Sequence, residues 1–395
     1  MDFVAIDVTR LFYRLFKKRH RTGIDRVILA FVANYANKYH AMLSIRGRCF
    51  LASKETSSSL SDFLQSYQSL SPLVFFKMLY FIIKIVSDHF RYKTVEVKYV
   101  FNLGHSGVTK RYLTQLEKHH LKLIAMIHDL IPLTNPEYCR SNTQIKYQNL
   151  FNRIFKYSHA IITTSNFNMD TIVSYCNVNR INIPICYVKH LPLLNLHNTI
   201  HTNRTVEENY FIVLGTIEPR KNHLLLLNVW KRLVNELGEK TPKLVIIGQR
   251  GWKNKDVINI LENDKKIKNY VIELNDCSDQ VLGALFRFTK ALLFPSYIEG
   301  YGLPLIEALS NKVPVIASNL PVFKEISNGI PDFIDPYDEN SWLIMIKHYL
   351  EEDSLVRKTQ LRRMDEFNLA NKKEYFLELE EWMKASVFKD QIGDN

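Results

Sequence analysis

Residues 210–237, "YFIVLGTIEPRKNHLLLLNVWKRLVNEL", join a short apolar run to a long amphipathic pattern through a polar loop. The run "YFIVLG" is typical of a buried strand, and "NHLLLLNVWKRLVNEL" repeats its apolar residues at helical spacing. A strand, a short loop and a helix in this order form the repeating unit of doubly wound parallel sheets. This stretch therefore predicts an α/β fold.

The same alternation continues through most of the chain, in runs such as "FVAID", "LKLIAMI", "AIITTS", "KLVIIG", "ALLFPS" and "VPVIAS". The length of 395 residues favours two domains. The polar stretch 195–209 lacks periodicity and precedes a fresh strand, so it predicts a hinge. We expect an N-terminal domain over residues 1–200 and a second domain over 209–375. A C-terminal helix within 376–395 can pack against either half, and we expect it on the N-terminal domain.

The charge of the chain is unevenly distributed. Residues 1–208 hold 27 Lys and Arg against 13 Asp and Glu, and residues 209–395 hold 25 against 27. The basic half is expected to face an anionic partner, either a phosphate-bearing acceptor or anionic lipid. Nucleic acid is not expected, because the chain has no zinc-finger spacing, RNP-like motif or strongly basic recognition helix.

Cysteine usage and the N-terminal sequence bear on the compartment. The five cysteines are scattered without a C-x-x-C pair, which argues against a disulfide framework and a structural zinc site. The first residues lack an uninterrupted apolar core followed by a cleavage site, so no signal peptide is predicted. These features favour a reducing, cytoplasmic location.

The longest apolar stretch, "PLVFFKMLYFIIKIV" at 72–86, contains Lys77 and Lys84. It is shorter than the roughly 20 residues that cross a bilayer. One interpretation is a helix that lies on the inner face of the membrane with its lysines among the headgroups. The other, which we favour slightly, is a buried helix whose lysines reach solvent at its rim.

The loop after the strand at 210–214 contains Gly215, Arg220 and Lys221, and Asn222 is positioned to cap the next helix. Two adjacent cations beside the free amides of a helix form an anion site, and a diphosphate would fit it. A solvated basic loop produces the same pattern, so the pair alone does not decide between these interpretations.

A second loop of this kind is "IEGYGLPLIEAL", residues 298–309. Its glycines permit a tight turn, and Pro304 suits a first helical turn. The amides of Tyr301, Gly302 and Leu303 are therefore expected to approach a phosphate.

The same stretch places Glu299 in the loop and Glu307 in the helix, among apolar neighbours. A buried carboxylate without a partner costs several kcal/mol, roughly, so each is expected to meet a polar group. Hydroxyls of a sugar or a ribose are one possibility. For Glu307, a structural arginine partner is an equally good alternative.

In the N-terminal half, polar residues also follow predicted strands. His128 and Asp129 follow "LKLIAMI", and Gly104, His105, Ser106 and Gly107 follow "YVFNLG". Ligands of parallel sheets bind beyond the carboxyl ends of the strands. We expect His128 to be functional, and Asp129 can equally cap the following turn. The loop with His105 is a candidate acceptor contact, although an ordinary loop histidine would look the same.

Several spaced motifs together resemble a known family. "GTIEPRKN", "VIIGQRGW", "DCSDQVLGALFRFTKALLFPS" and "EGYGLPLIEALSNKVPVIAS" occur in this order, and "RTGIDRV", "AMIHDLIPL" and "AIITTSNF" precede them. This pattern resembles retaining glycosyltransferases of family GT4, most strongly over residues 210–340. The resemblance implies the GT-B fold, in which two Rossmann-like domains face each other across a cleft.

The resemblance also implies a role for each matching residue. Arg220 and Lys221 would bind the donor diphosphate and stabilise the leaving nucleotide, with Gly215 in the same loop. Glu307 would bind ribose, Glu299 the transferred sugar, and the amides of Tyr301 to Leu303 the sugar or phosphate. Gly23 would place backbone against the diphosphate from the other domain, and His128 would lie near the sugar.

The function implied is transfer of a hexose from a nucleotide-sugar donor to a glycan or lipid-linked acceptor in bacterial surface polysaccharide assembly. GDP-mannose is the favoured donor, with UDP-sugars as the alternative. The chain has no D-x-D triplet, so we expect no metal ion at the diphosphate. Competing hypotheses are a same-fold phosphorylase or sugar-nucleotide epimerase, and a non-catalytic module that binds a nucleotide sugar or nucleic acid.

Overall fold

The computed structural model describes residues 3–17, 21–67, 71–91, 97–193, 209–275, 277–369 and 371–388. The chain divides into two compact units. The first contains Met1–Leu130, Gln144–Leu194 and Lys372–Asn395, and the second contains Ile131–Thr143 and Asn195–Asn371. The predicted hinge at 195–209 lies outside the described residues, apart from its last residue.

The described part of the first unit forms a seven-stranded sheet of order β3-β2-β1-β4-β5-β6-β7. All neighbours are parallel except β2 and β3, which are antiparallel. The strands are β1 (Val4–Asp7), β2 (His40–Ile45), β3 (Arg48–Leu51), β4 (Tyr99–Asn102), β5 (Lys122–Ile127), β6 (Ser158–Thr163) and β7 (Ile185–Val188).

The helices up to residue 178 are α1 (Thr9–Phe16), α2 (Gly23–Asn34), α3 (Lys54–Ser66), α4 (Pro72–Arg91), α5 (Lys110–Lys118), α6 (Ile131–Thr134), α7 (Thr143–Tyr157) and α8 (Asn166–Val178). Helix α6 and the 3-10 turn Pro136–Tyr138 lie in the 131–143 segment, which belongs to the second unit. Strand order reverses between β1 and β4, so the carboxyl ends of these two strands flank the switch point of the first sheet.

The second unit has a six-stranded parallel sheet of order β10-β9-β8-β11-β12-β13 in its described residues. Its strands are β8 (Tyr210–Leu214), β9 (Lys243–Ile247), β10 (Val271–Leu274), β11 (Leu292–Phe294), β12 (Val315–Ser318) and β13 (Asp332–Ile334). Its helices are α9 (His223–Leu237), α10 (Lys255–Asn263), α11 (Asp279–Phe288), α12 (Leu303–Ser310), α13 (Pro321–Ser327), α14 (Glu339–Leu350) and α15 (Leu355–Arg363). The switch point lies between β8 and β11.

The central strands of the second sheet, β8 and β11, are continuous apolar runs because the core closes over them. Trp230 of α9 and Trp342 of α14 are fully buried in one cluster with residues of β8, β9 and β11. The indole of Trp230 donates to the carbonyl of Pro242 at 2.9 Å, which satisfies its only polar group. This packing holds β8 and α9, and with them the loop between them, in a fixed place.

The C-terminal segment belongs to the first unit. Helix α16 (Lys372–Trp382) and the π-helical turn Met383–Val387 pack their aromatic residues onto it. The ring centroids of Phe31 and Phe376 are 5.0 Å apart, and the Tyr99 hydroxyl donates to the carbonyl of Val387 at 3.1 Å. The described helix begins four residues before the range assigned to it from the sequence.

Helix α4 is apolar on both faces, but only one face is covered. Met78, Phe81 and Ile85 are buried, and the rings of Phe63 and Phe81 stack at 5.2 Å. On the opposite face Phe76 and Ile83 are 67% and 69% exposed. The favoured prediction of a buried helix is therefore wrong for that face. Within the described residues, no helix combines the length and apolar character needed to cross a membrane.

Candidate functional site

The two loops singled out in the C-terminal half meet at the switch point of the second sheet. One follows β8 and the other follows β11, and these strands are parallel neighbours. The backbone amide of Tyr297 donates to the carbonyl of Arg220 at 2.8 Å, which fixes one loop against the other. Residues 215–222 and 295–303 therefore form one continuous edge where parallel sheets bind ligands.

Four charged side chains form an ion cluster at this edge, which we call the switch-point cluster: Glu218, Arg220, Lys221 and Glu299. Glu299 accepts from Arg220 Nη1 and from Lys221 Nζ, each at 2.6 Å. Arg220 Nε also meets Glu218 at 2.6 Å, and the Ser296 hydroxyl donates to Glu299 at 2.8 Å. The structure thus brings the predicted Arg220, Lys221 and Glu299 together, with Glu218 and Ser296 added.

The cluster is largely removed from water. Glu299 and Lys221 are 6% and 8% exposed. Burial opposes ionisation of Glu299, but Arg220 and Lys221 outweigh it and lower the pKa of Glu299 to about 2. Burial lowers the pKa of Lys221, and the contact with Glu299 counteracts this. Two cations and two carboxylates are therefore held in fixed positions in a low-dielectric site, where charge interactions are strong.

Two glycines are required by the geometry of this edge. Gly215 has φ +148°, and a Cβ there would lie 3.1 Å from Lys221 Cε, so the Lys221 side chain passes directly over this residue. Gly302 has φ +118°, and a Cβ there would lie 2.9 Å from the Phe323 ring. The Lys221 amine also lies 4.8 Å from the centre of the Phe294 ring. The predicted Gly215 thus leaves the space that the Lys221 side chain occupies.

Helix α12 begins as the sequence indicates, with Gly302 as its N-cap and Pro304 in the first turn. The predicted Tyr301 and Leu303 therefore lie at its amino end. Glu307 lies further along the helix and is 4% exposed, so its carboxylate is buried within the second unit.

Asn222 does not cap α9 with its side chain. It occupies the N-cap position in a left-handed conformation, φ 55°, and its side-chain amide donates to the carbonyl of Pro336 at 2.9 Å. The predicted capping bond is wrong, because the 3-10 turn Pro219–Lys221 directs this side chain toward the loop after β13.

An aromatic stack that the sequence did not reveal adjoins the cluster. The rings of Tyr138 and Tyr297 stack at 5.5 Å and 11°, and the ring of Tyr337 lies 4.9 Å from that of Tyr297. The indole of Trp252 donates to the carbonyl of Tyr138 at 3.0 Å. The sequence around each of these residues does not predict the arrangement, because they come from four separate loops.

The first unit has its own polar group of residues at strand ends. His128 follows β5, and its Nε2 lies 2.7 Å from the carbonyl of Leu103. A carbonyl only accepts, so Nε2 carries the proton and Nδ1 has a lone pair. Burial, with the neighbouring His105, lowers the pKa of His128 to about 3, which leaves a neutral imidazole. His128 can therefore accept a hydrogen bond from a hydroxyl.

Arg10, which no sequence motif indicates, occupies the switch point of the first sheet. It follows β1, and a Cβ on Gly104, after β4, would lie 2.7 Å from Arg10 Cδ. Its guanidinium pairs with Asp25 at 2.8 Å. Asp25 belongs to a capping box with Thr22, which precedes the predicted Gly23 at the first position of α2. Arg10 and Gly23 therefore both lie near the carboxylate of Asp25, in the first turn of α2.

Two doubly wound, predominantly parallel sheets are the architecture of the GT-B fold, as predicted. Residues 199–359 match the family described as "Glycosyl transferases group 1". The resemblance to this family that the sequence motifs predicted is thus confirmed over these residues.

Named relatives match about half of the chain. The serotype-specific mannosyltransferase WbdA of Escherichia coli is 29% identical over 51% of this chain and 26% of its own length. O-antigen chain mannosyltransferase B of Escherichia coli is 27% identical over 59% of this chain and 62% of its own length. The chain therefore spans only about a quarter of the length of WbdA.

Solved structures extend the likeness to nearly the whole chain. Sucrose-phosphate synthase from Thermosynechococcus elongatus covers 98% of this chain and 99% of its own, with a TM-score of 0.62 and 13% identity. Anabaena Alr3699/HepE in complex with UDP covers 98% and 100%, with a TM-score of 0.61 and 12% identity. At this identity the likeness establishes the fold.

Proposed function

We propose that this protein is a retaining GT4 hexosyltransferase that moves mannose from a nucleotide-diphosphate sugar to a glycan or lipid-linked acceptor in bacterial surface polysaccharide assembly. The observation that carries the proposal is the switch-point cluster, in which a buried lysine and a partly buried arginine share one buried glutamate at the edge where such folds bind ligands. The mannosyltransferase relatives support the choice of sugar.

In the proposed reaction, the bond between the anomeric carbon of the donor and the diphosphate oxygen breaks. The acceptor hydroxyl oxygen bonds to that carbon from the same face, so the anomeric configuration is retained. Its proton passes to the departing diphosphate. Negative charge therefore accumulates on the diphosphate in the transition state, and fixed cations there lower the barrier.

Arg220 and Lys221 are the proposed cations, and Glu299 fixes their positions in the absence of the donor. Because Glu299 holds both side chains at 2.6 Å, they are oriented and desolvated before the donor arrives. A diphosphate that takes over these cations releases Glu299, which can then accept from a hydroxyl of the transferred sugar. Glu299 would thus exchange partners in each cycle.

The remaining site residues are assigned by the same proposal. Gly215 leaves room for the Lys221 side chain to pass over it. The amides of Tyr301, Gly302 and Leu303 would bind the sugar or phosphate. Glu307 would bind ribose. Gly23 would present backbone to the diphosphate, and neutral His128 would accept from a sugar hydroxyl through Nδ1.

The proposal includes metal independence and a cytoplasmic, peripheral location. The two cations supply the charge that a divalent ion would otherwise provide at the diphosphate. A lipid-linked acceptor is supported by one relative, a Campylobacter jejuni transferase whose name specifies a diphospho-undecaprenol substrate, 22% identical over 56% of this chain.

Thermal-shift measurements against GDP-mannose, other GDP-sugars and UDP-sugars test the donor, because a bound donor stabilises the fold by mass action. We expect one nucleotide sugar, with GDP-mannose as the favoured candidate, to raise the melting temperature of the protein. Sugar transfer from that donor should continue in the presence of a chelator. Lys221→Ala and Glu307→Ala should each abolish transfer in folded protein. Normal turnover by either variant would contradict the assigned site.

A further inference from the structure

The outer face of α4 carries an exposed apolar stripe. Leu73, Phe76, Tyr80, Ile83 and Phe90 recur at helical spacing and are 55% to 70% exposed. Soluble proteins rarely leave such a contiguous row of large apolar side chains in water. Leu73 and Phe90 are 17 residues apart in this helix, so the stripe extends over about 26 Å.

Helix α1 extends this stripe sideways. The rings of Phe16 and Phe75 lie 6.2 Å apart, and Tyr13 and Phe16 are both more than half exposed. We call the outer faces of α1 and α4 together the α1–α4 face. Both helices belong to the first unit. Together they form a surface that is broader than a groove for a single peptide helix.

The charges at the α1–α4 face have one sign. Arg10 and Arg14 of α1 pair with the buried Asp25, whereas the Lys17 amine lies 6.0 Å from the centre of the exposed Phe16 ring. Helix α4 contains Lys77, Lys84 and Arg91, and its single acid, Asp88, is buried and accepts from the backbone of Ser53 at 3.0 Å. The Lys84 amine lies 5.9 Å from the centre of the Tyr80 ring, so this cation is at the edge of the stripe.

We propose that the α1–α4 face docks the protein onto an anionic lipid bilayer. Exposed Phe, Leu and Ile side chains would enter the boundary between headgroups and acyl chains, with Lys77 and Lys84 reaching the headgroup phosphates. The inner face of α4 stays packed on the unit, so docking requires no unfolding. The inference rests on the peripheral location included in the proposed function and specifies its surface, but it does not depend on the sugar-transfer chemistry.

Charge favours a bilayer over a second copy of this chain. Two copies joined through this face would bring Lys17, Lys77 and Arg91 of each toward the same basic residues of the other, and like charges repel. An anionic surface instead meets every one of these charges with an opposite one.

Vesicle flotation with the full chain tests the proposal. We expect the protein to float with vesicles of phosphatidylcholine and phosphatidylglycerol, to bind more weakly to phosphatidylcholine alone, and to lose binding at high salt. The double variant Phe76→Gln/Ile83→Gln should bind anionic vesicles at least about tenfold more weakly, because two buried apolar side chains are lost.

A matched control removes equally exposed apolar side chains elsewhere on the same unit. Ile145 and Val178 are 69% and 82% exposed, so Ile145→Gln/Val178→Gln should bind vesicles like the wild type. Equal melting temperatures of both variants would show that folding is intact. The charge variant Lys77→Gln/Arg91→Gln should lose the preference for anionic lipid.

Three results would overturn the proposal. One is a wild-type chain that floats with neither kind of vesicle. Another is vesicle binding that Phe76→Gln/Ile83→Gln leaves unchanged. The third is a wild-type dimer in sedimentation velocity that Phe76→Gln/Ile83→Gln dissociates and vesicles do not, since the face would then join two copies.

Discussion

Glu299 decides the electrostatics of the switch-point cluster, because it is the residue that both cations share. Without its carboxylate, Lys221 would be a buried ammonium that has lost its ion-pair partner, and Arg220 would lose its contact at 2.6 Å. Removal of one partner from a buried pair is far more costly than removal of a surface partner.

We therefore expect Glu299→Gln to reduce the free energy of unfolding of the second unit by about 3 to 5 kcal/mol. Denaturant unfolding followed by Trp fluorescence measures this, because Trp230, Trp252 and Trp342 lie in that unit. The control is Glu262→Gln, which breaks a half-exposed pair with Arg250 and should cost no more than about 1 kcal/mol. Equal losses in the two variants would contradict the account.

At this scale the sequence identified the participants but not their bonds. Arg220, Lys221 and Glu299 were predicted from charged residues in loops after strands. Their mutual pairing depends on β8 and β11 being neighbours, although 77 residues lie between these two strands in the chain. Arg10 was missed because an arginine in a helical pattern near the N-terminus gives no local sign of a switch point.

Among the elements, the turn into α12 is tightly constrained by sterics. Gly302 combines a left-handed φ with contact against the Phe323 ring. Any side chain there must displace α13 or move the amides at the start of α12. The sequence predicted the glycine through its turn, but the contact with Phe323 could only be seen in the fold.

Gly302→Ala should therefore destabilise the second unit by about 1 to 3 kcal/mol and weaken donor binding. Gly329→Ala is the matched control, because Gly329 also has a positive φ, +73°, but a Cβ there would meet nothing within 4 Å. Calorimetric melting and donor titration of both variants separate the two effects. If Gly329→Ala lost donor affinity equally, contact at Gly302 would not be the cause.

Strand and helix alternation predicted both sheets because buried parallel strands must be apolar along their whole length. The segment 131–143 could not be assigned in this way. It follows β5 of the first sheet in the chain, yet it belongs to the second unit, where Tyr138 stacks on Tyr297. The assignment of this segment to the second unit depends on side-chain packing between distant loops. Packing of this kind produces no periodic pattern in the sequence.

For the whole molecule, three buried histidines make stability depend on pH. Burial lowers the pKa of His105, His128 and His223 to about 3, from an ordinary value of 6.5. Between these values the unfolded chain binds protons that the folded chain does not, so stability falls as the pH decreases. Each histidine contributes about 1.4 kcal/mol per pH unit over that interval.

His223 provides the test, because it is 2% exposed and neither ring nitrogen has a hydrogen-bond partner in the structure. We expect His223→Leu to reduce the slope of unfolding free energy against pH for the second unit by about 1.4 kcal/mol per unit below pH 6.5. Denaturant unfolding at a series of pH values measures the slope. An unchanged slope would show that His223 titrates normally in the folded protein.

The central claim is that the switch-point cluster binds a diphosphate with fixed side-chain cations. Calorimetric titration of GDP and UDP in chelator measures this most directly, with Lys221→Met compared against Lys231→Met, a partly exposed lysine of α9. The account predicts metal-free binding of one nucleotide that Lys221→Met weakens by about tenfold to a hundredfold and Lys231→Met leaves unchanged. Binding that appears only with added manganese, or that Lys221→Met does not weaken, would contradict it.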